Sequence, residues 1–290
     1  MCGITAVSRA DDRSAIPDLR TFAMAAALAI EDRGPHATGF GWTDEIGHPW
    51  YWKSEGRARD VVRFAPLDRK MRELIGHTRW ATLGSPKVDG NNHPVMAPGL
   101  ILVHNGIVSN HAELFGALGV EREAEVDSEA LAALLAYGSG VFDGSGPADL
   151  LTLVEGDFAI AWLDADEPHV LHLARGAGRP MAIGWTRRGD LVMASTRAAL
   201  SHLAKVTKVH IGQVENVPEG TYLRVEAGRI TTRQRFAVPV KPERKPTPVG
   251  AGRATRGQYV ERAAPLGLTE RMPRWRHEWL TEYDRFRGWS

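Results

Sequence analysis

Six successive residues, Phe158-Ala159-Ile160-Ala161-Trp162-Leu163, present no polar face. A run this short and this apolar is satisfied as a strand covered on both sides, so the chain is expected to build layers around a buried sheet. Further strand-like runs occur at 169–174, 181–185 and 191–194. They are separated by turn residues at Gly176-Ala177-Gly178 and Arg188-Gly189-Asp190. Two more strands are predicted near 221–225 and 229–233.

Earlier in the chain the period alternates between helix and strand. Residues 3–8 form a strand candidate directly after Cys2. Pro17 opens a helix in which Leu19, Phe22, Ala23, Ala26 and Ile30 share one face, and Gly34-Pro35 stops it. Phe40 and Trp42, then Trp50 and Trp52, alternate in two pieces joined around Gly47, which predicts a hairpin. Apolar runs at 74–78 and 100–104 enclose a polar loop holding Gly84, Pro86, Gly90, Asn91 and Asn92. Helices are expected from Asp127 or Ser128 to Gly138, over 148–154 and over 196–204, with a glycine-rich turn at 138–146. Helices between groups of strands, linked by short turns, predict an α+β sandwich of antiparallel sheets.

The formal net charge of +1 on 290 residues excludes a nucleic-acid-coating or acidic chain, and 43% hydrophobic residues are ample for one large core. Charged residues at Arg9, Asp11, Asp12 and Arg13 break any apolar leader, and the run 22–30 is too short to span a bilayer. A single cysteine excludes an internal disulfide and favours a reducing compartment, so a cytoplasmic location is expected. Composition changes at 239, where Pro239, Pro242, Pro246 and Pro248 alternate with basic residues. The division is therefore a body over 2–238 and a linker with tail over 239–290. The tail carries 11 Lys+Arg and 6 Asp+Glu, a net of +5, against −4 for the body. Trp275, Trp279, Tyr283 and Phe286 fall on one helical stripe there, suited either to packing on the body or to docking a partner. Acidic residues interleave along the tail, which argues against nucleic acid.

Several chemistries lack their residues. His277-Glu278 begins like a zinc-protease helix, but Thr281 stands where the second histidine belongs. His169 and His172 would face opposite sides of a strand. No phosphate loop and no Gly-x-Ser-x-Gly elbow is present. Neither a metal nor a cofactor is expected.

What remains is a set of groups suited to acyl transfer. Cys2 is the only thiol. If Met1 is removed, Cys2 gains a free α-amine of pKa about 7.7–8.0 beside a thiol of about 8.5, a base and a nucleophile in one residue. Taken alone, a cysteine at position 2 reads first as a chance residue of a frayed end. Arg79, within His77-Thr78-Arg79-Trp80-Ala81-Thr82, offers a two-pronged grip for a carboxylate. Asn105 and Gly106 offer an amide and an unobstructed backbone N–H for an oxyanion, although Asn-Gly also reads as a plain turn. Asp127 suits an ammonium group, a helix N-cap, or both at once.

These segments together resemble the class II glutamine amidotransferases, N-terminal-nucleophile hydrolases, and are most similar to the glutaminase domain of glucosamine-6-phosphate synthase. The likeness covers roughly 2–235: Cys2-Gly3-Ile4, Arg33 to Gly39, His77 to Thr82, Asn92-His93-Pro94, His104-Asn105-Gly106, Asp127-Ser128-Glu129 and Gly156 to Ala159 come in the family's order. The resemblance implies a four-layer αββα sandwich and attack of Cys2 on the side-chain amide of L-glutamine. It assigns the oxyanion to Asn105 and Gly106, the α-carboxylate to Arg79 with help from Thr82, the α-ammonium to Asp127, and closure of the site to Trp80. Leu83 departs from the family's histidine, and Ser195-Thr196 from its usual Ser-Glu. Fifty-two residues after 238 are too few for a synthase, so a separate ammonia-accepting enzyme is expected as partner. The acceptor and the oligomeric state stay open.

Overall fold

The computed structural model describes residues 1–10, 14–142 and 146–238, and the basic, aromatic tail lies outside them. The strands are β1 Gly3–Ser8, β2 Ala37–Thr43, β3 Pro49–Glu55, β4 Glu73–Arg79, β5 Val95–Ala97, β6 Leu100–Val108, β7 Gly156–Asp164, β8 Val170–Arg175, β9 Ala182–Thr186, β10 Leu191–Ala194, β11 Ile211–Asn216, β12 Thr221–Glu226 and β13 Arg229–Arg235. The helices are α1 Leu19–Ala29, α2 Ala58–Val61, α3 His111–Leu118, α4 Ser128–Val141, α5 Pro147–Leu151 and α6 Arg197–Thr207.

Two antiparallel sheets result. One has the order β11-β9-β10-β1-β4-β2-β3, the other β13-β12-β8-β7-β6-β5. The apolar run that demands cover on both faces is β7, and it lies inside the second sheet with Trp162, Phe158 and Ile160 buried. Ala159, Ala161 and Leu163 face the opposite way, against Ile4, Ala6 and Ile75 of the first sheet, which forms the inter-sheet core. On its outer side the second sheet packs Phe158, Ile160 and Trp162 against Leu131, Leu134 and Leu151 of α4 and α5. The first sheet is covered by Phe22, Ala26 and Ala27 of α1 with Leu200 and Leu203 of α6. Helix, sheet, sheet and helix stack as four layers, as expected.

Local chemistry explains the boundaries. Asp18 caps α1 by accepting the N–H groups of Arg20 and Thr21, and Thr196 caps α6 through Ala199. Gly47 turns the β2–β3 hairpin at φ +88°. The glycine-rich turn expected at 138–146 is partly wrong, because α4 continues to Val141 and only 143–145 lie outside the described residues. Gly138 is kept inside the helix by packing, since any Cβ there would press on Leu150 of α5.

Four elements escaped the periodicity: α2, α3, β5 and β11. Helix α3 buries only Leu114, Phe115 and Leu118 in eight residues and ends at Gly119, φ +66°. Strand β11 is an edge strand with a bulge between Gly212 and Glu215, so its side chains do not alternate cleanly.

Candidate functional site

Strand β1 lies between β10 and β4, so the residue just before it is placed by both neighbours. Gly3 pairs with Thr78, and Ser195 accepts the Ile4 N–H through Oγ at 2.8 Å. A Cβ at Gly3 would crowd Thr78 Oγ1 and the Ile30 carbonyl, so only glycine lets the chain start this close to β4. Strand β4 ends at Arg79, and the next residue emerges beside Cys2. The Trp80 N–H donates to the Cys2 sulfur at 3.3 Å. Arg33 Nε donates to the Cys2 carbonyl at 3.0 Å. Burial pushes the Cys2 thiol above its ordinary pKa, opposed by the Trp80 N–H, the amino terminus and Arg79, and assisted by the charge of Asp127. The amino group present at this end, on Met1, is pulled below its ordinary value by partial burial and by Arg33 and Arg179.

Strand β6 contributes the second part. It pairs with β7 along its whole length, but β5 covers only Leu100 to Leu102 on the other edge. Beyond that, the open edge is used at alternate positions. The His104 carbonyl accepts from His77 Nε2 at 3.0 Å, and the Val108 N–H donates to Asp127 Oδ2 at 2.6 Å. Strand period puts the Gly106 N–H on that same edge, between them. Asn105 is 1% exposed, and its Nδ2 has no hydrogen-bond partner. A buried amide donor left unsatisfied costs about 1–3 kcal/mol, so this one is free to serve a ligand or a water. Gly106 cannot carry a side chain, because a Cβ would overlap the Asp157 carbonyl oxygen and crowd His104 Nε2.

Asp127 precedes α4 but does not cap it. Its backbone is already helical, at φ −64° and ψ −22°, and its side chain makes no cap hydrogen bond. The carboxylate turns instead to Val108, so the N-cap alternative fails and only Oδ2 is engaged there.

Arg79 is 2% exposed and more heavily engaged than a free clamp would be. Nη1 donates to Asn92 Oδ1 at 2.8 Å, and Nη2 donates to the carbonyls of Leu83 at 2.5 Å and Gly84 at 2.9 Å. Asn92 in turn donates to the Pro86 carbonyl at 2.7 Å, so the polar loop after β4 is folded back onto the arginine. Leu83 meets Arg79 through its backbone, and its side chain stays half-exposed. Cys2, Arg79, Trp80, Thr82, Gly106 and Asp127 line one cleft together with Leu83, His93 and His104. The free space between them is about 20 Å³, room for roughly one water.

Six of the seven residues singled out from sequence therefore line one cleft, and Asn105 adjoins it on β6 between His104 and Gly106. Three buried histidines, two of them lining the cleft, have no role legible from sequence. His77 and His93 stack at 4.0 Å, and His104 lies 6.4 Å from His93 and bonds Ser128 Oγ at 2.8 Å. Burial lowers the pKa of His77 to about 3 and that of His104 to about 4, and drives His93 well below the ordinary range, so all three are neutral. His36 was also missed, because its contact to Ala81 joins segments 45 residues apart.

Two antiparallel sheets packed face to face, with helices on both outer sides, are the architecture of the N-terminal-nucleophile class of hydrolases. Residues 77–202 match the glutamine amidotransferase domain family. A glutamine–fructose-6-phosphate aminotransferase (isomerizing) of Symbiobacterium thermophilum is 33% identical over 275 residues, 90% of this chain and 41% of its own length. One from Rhizobium meliloti is 38% identical over 153 residues, 50% of this chain and 24% of the relative. The chain thus spans about a quarter to two fifths of these relatives. Among solved structures, the glutamine phosphoribosylpyrophosphate amidotransferase of B. subtilis superposes with a TM-score of 0.65 at 20% identity, covering 82% of this chain and 50% of that one, and supports the fold. The chain carries a class II glutamine amidotransferase domain, and the relatives named here are enzymes. Among the described residues no helix is long and apolar enough to cross a membrane.

Proposed function

We propose that this domain hydrolyses L-glutamine to glutamate and ammonia through a thioester on Cys2. The observation that carries the reading is the unpartnered, buried Asn105 Nδ2 beside the cleft that holds the chain's only thiol. Removal of Met1 would leave the α-amine on Cys2, next to the carbonyl held by Arg33. That amine takes the thiol proton, and the sulfur bonds to the amide carbon. The oxyanion so formed accepts from Asn105 Nδ2 and the Gly106 N–H. Collapse breaks the carbon–nitrogen bond, and the proton on the amine leaves with the departing ammonia. Water then cleaves the thioester, releasing glutamate and restoring the thiol. Asp127 Oδ1 is suited to the substrate's ammonium and Arg79, with Thr82, to its carboxylate. Trp80 closes over the sulfur.

The ammonia passes to a separate acceptor enzyme. Support for transfer of the ammonia comes from the curated relatives, which are glutamine-dependent aminotransferases by name. Purified protein should lack Met1 by mass spectrometry and form glutamate from glutamine, while Cys2→Ala should form none. Intact Met1 with no turnover would overturn the reading, and affinity capture of an aminating enzyme tests the partner.

A second reading, hydrolysis of a different amide, is favoured by one observation: three carbonyl-type oxygens already occupy Arg79. A panel of amides on which glutamine performs worst would select it.

A further inference from the structure

Helix α1 ends at Ala29, before Gly34-Pro35, so the motif from Arg33 to Gly39 is not its stop; it leads from a short 3-10 turn at Glu31–Arg33 into β2. Gly34 lies directly on the backbone of β4, and a Cβ there would overlap the Thr78 carbonyl and Arg79. This close approach delivers His36 to the end of that strand. Its backbone N–H donates to the Arg79 carbonyl at 3.0 Å, and its carbonyl accepts the Gly56 N–H at 2.9 Å, so the residue is fixed from both sides.

The ring then reaches forward. His36 Nδ1 accepts the Ala81 N–H at 2.9 Å, and the ring centroid lies 5.5 Å from that of Trp80. Because Nδ1 accepts, the ring proton is on Nε2. Trp80 is thereby held at three points. Its own N–H is on the Cys2 sulfur, the following N–H is on His36, and its indole lies against the imidazole. The indole is 46% exposed, so no core packing would hold it in the absence of these contacts.

We propose that His36 is a positioning residue which, through Nδ1 and the Ala81 N–H, sets how Trp80 closes over Cys2 and hence how the substrate is gripped. The proposal rests on the glutaminase reading for its kinetic consequence, but its structural part is independent of turnover. The imidazole gives segment 80–82 one defined place beside Cys2. His36 itself need not touch the reacting atoms.

The test compares wild type with His36→Ala, His36→Asn and His36→Gln in the full chain. Asn Oδ1 takes the position of Nδ1, whereas Gln Oε1 reaches further out, so Asn preserves the acceptor and Gln does not. Cys2 is the only cysteine, so mass spectrometry of iodoacetamide-treated protein reads its accessibility directly. Loss of one well-made hydrogen bond corresponds to roughly a tenfold effect. His36→Ala and His36→Gln should alkylate about tenfold faster and raise KM for glutamine about tenfold with a smaller change in kcat, and His36→Asn should stay within about twofold of wild type. Equal alkylation and KM in all four proteins would overturn the proposal, as would His36→Asn behaving like His36→Gln. Should His36→Ala fail to fold, the Asn and Gln pair decides alone. A wild type that turns over no glutamine sinks the glutaminase reading, while the alkylation rates still decide the role of His36.

Discussion

Asp127 Oδ2 accepts the backbone N–H of Val108 at 2.6 Å, across the edge of β6 that β5 leaves uncovered. That bond fixes the direction of the alternate N–H groups on this edge, and the Gly106 N–H consequently faces the same side as the cleft.

Replacing Asn105 by Ala should lower kcat about 10²–10³-fold with little change in KM, if its amide serves only the oxyanion. Because Nδ2 has no partner in the resting protein, the same change should not lower Tm. Steady-state kinetics and thermal melting together check this, and a lower Tm with unchanged kcat would assign the amide a structural task.

Much of this site was legible in the sequence because its donors belong to contiguous segments. Arg79-Trp80 and Asn105-Gly106 are neighbours in the chain, the first at the end of β4 and the second within β6. The engagement of Arg79 by Leu83, Gly84 and Asn92 was not legible, because it depends on how one loop folds back. His36 and Ala81 belong to different strand ends, a pairing that periodicity does not encode. The layered fold was legible from β7 and from the face of α1, where burial dictates residue type. Helix α3 and strand β11 were not, because one is short and the other is a bulged edge.

Gly106→Ala should destabilise. The new methyl would overlap the Asp157 carbonyl oxygen and crowd His104 Nε2, in a strand held by β7 along its length. Overpacking of this kind costs about 1–3 kcal/mol, which for a body of this size lowers Tm by roughly 2–12 °C. Differential scanning calorimetry measures it, and an unchanged Tm would show that the β6–β7 pair yields easily.

Asn92→Ala removes both the acceptor for Arg79 Nη1 and the donor to the Pro86 carbonyl. A charge-assisted hydrogen bond contributes about 1.5–3 kcal/mol, so KM for glutamine should rise at least tenfold as the arginine loses its support. Asn92→Asp keeps the acceptor and loses the donor, so it should recover most of the affinity. If Asp and Ala are equally poor, the tie to Pro86 carries the effect instead.

Acid should destabilise the protein before its carboxylates titrate. Unfolded histidines take up protons near pH 6.5, whereas burial holds His77 neutral to about 3 and His104 to about 4, with His93 also lowered. Between pH 6.5 and 4 the unfolded chain therefore binds more protons than the native one, and stability falls as pH falls, by up to about 1.4 kcal/mol per pH unit for each such group. Glu167 does not share this window. His172 and Arg224 hold its pKa down to about 2, so its contribution persists until the carboxylate range is passed. His169 acts in the opposite sense. Its partner Glu73 raises its pKa, a contribution that is complete below about 6.5 and lost as pH rises through the raised value. Three lowered histidines outweigh one raised one. Tm should drop steadily from pH 6.5 to 4.5, and His77→Gln should flatten the slope by removing one of the three groups. A Tm independent of pH over this interval would mean that protons reach the histidines without unfolding the sandwich.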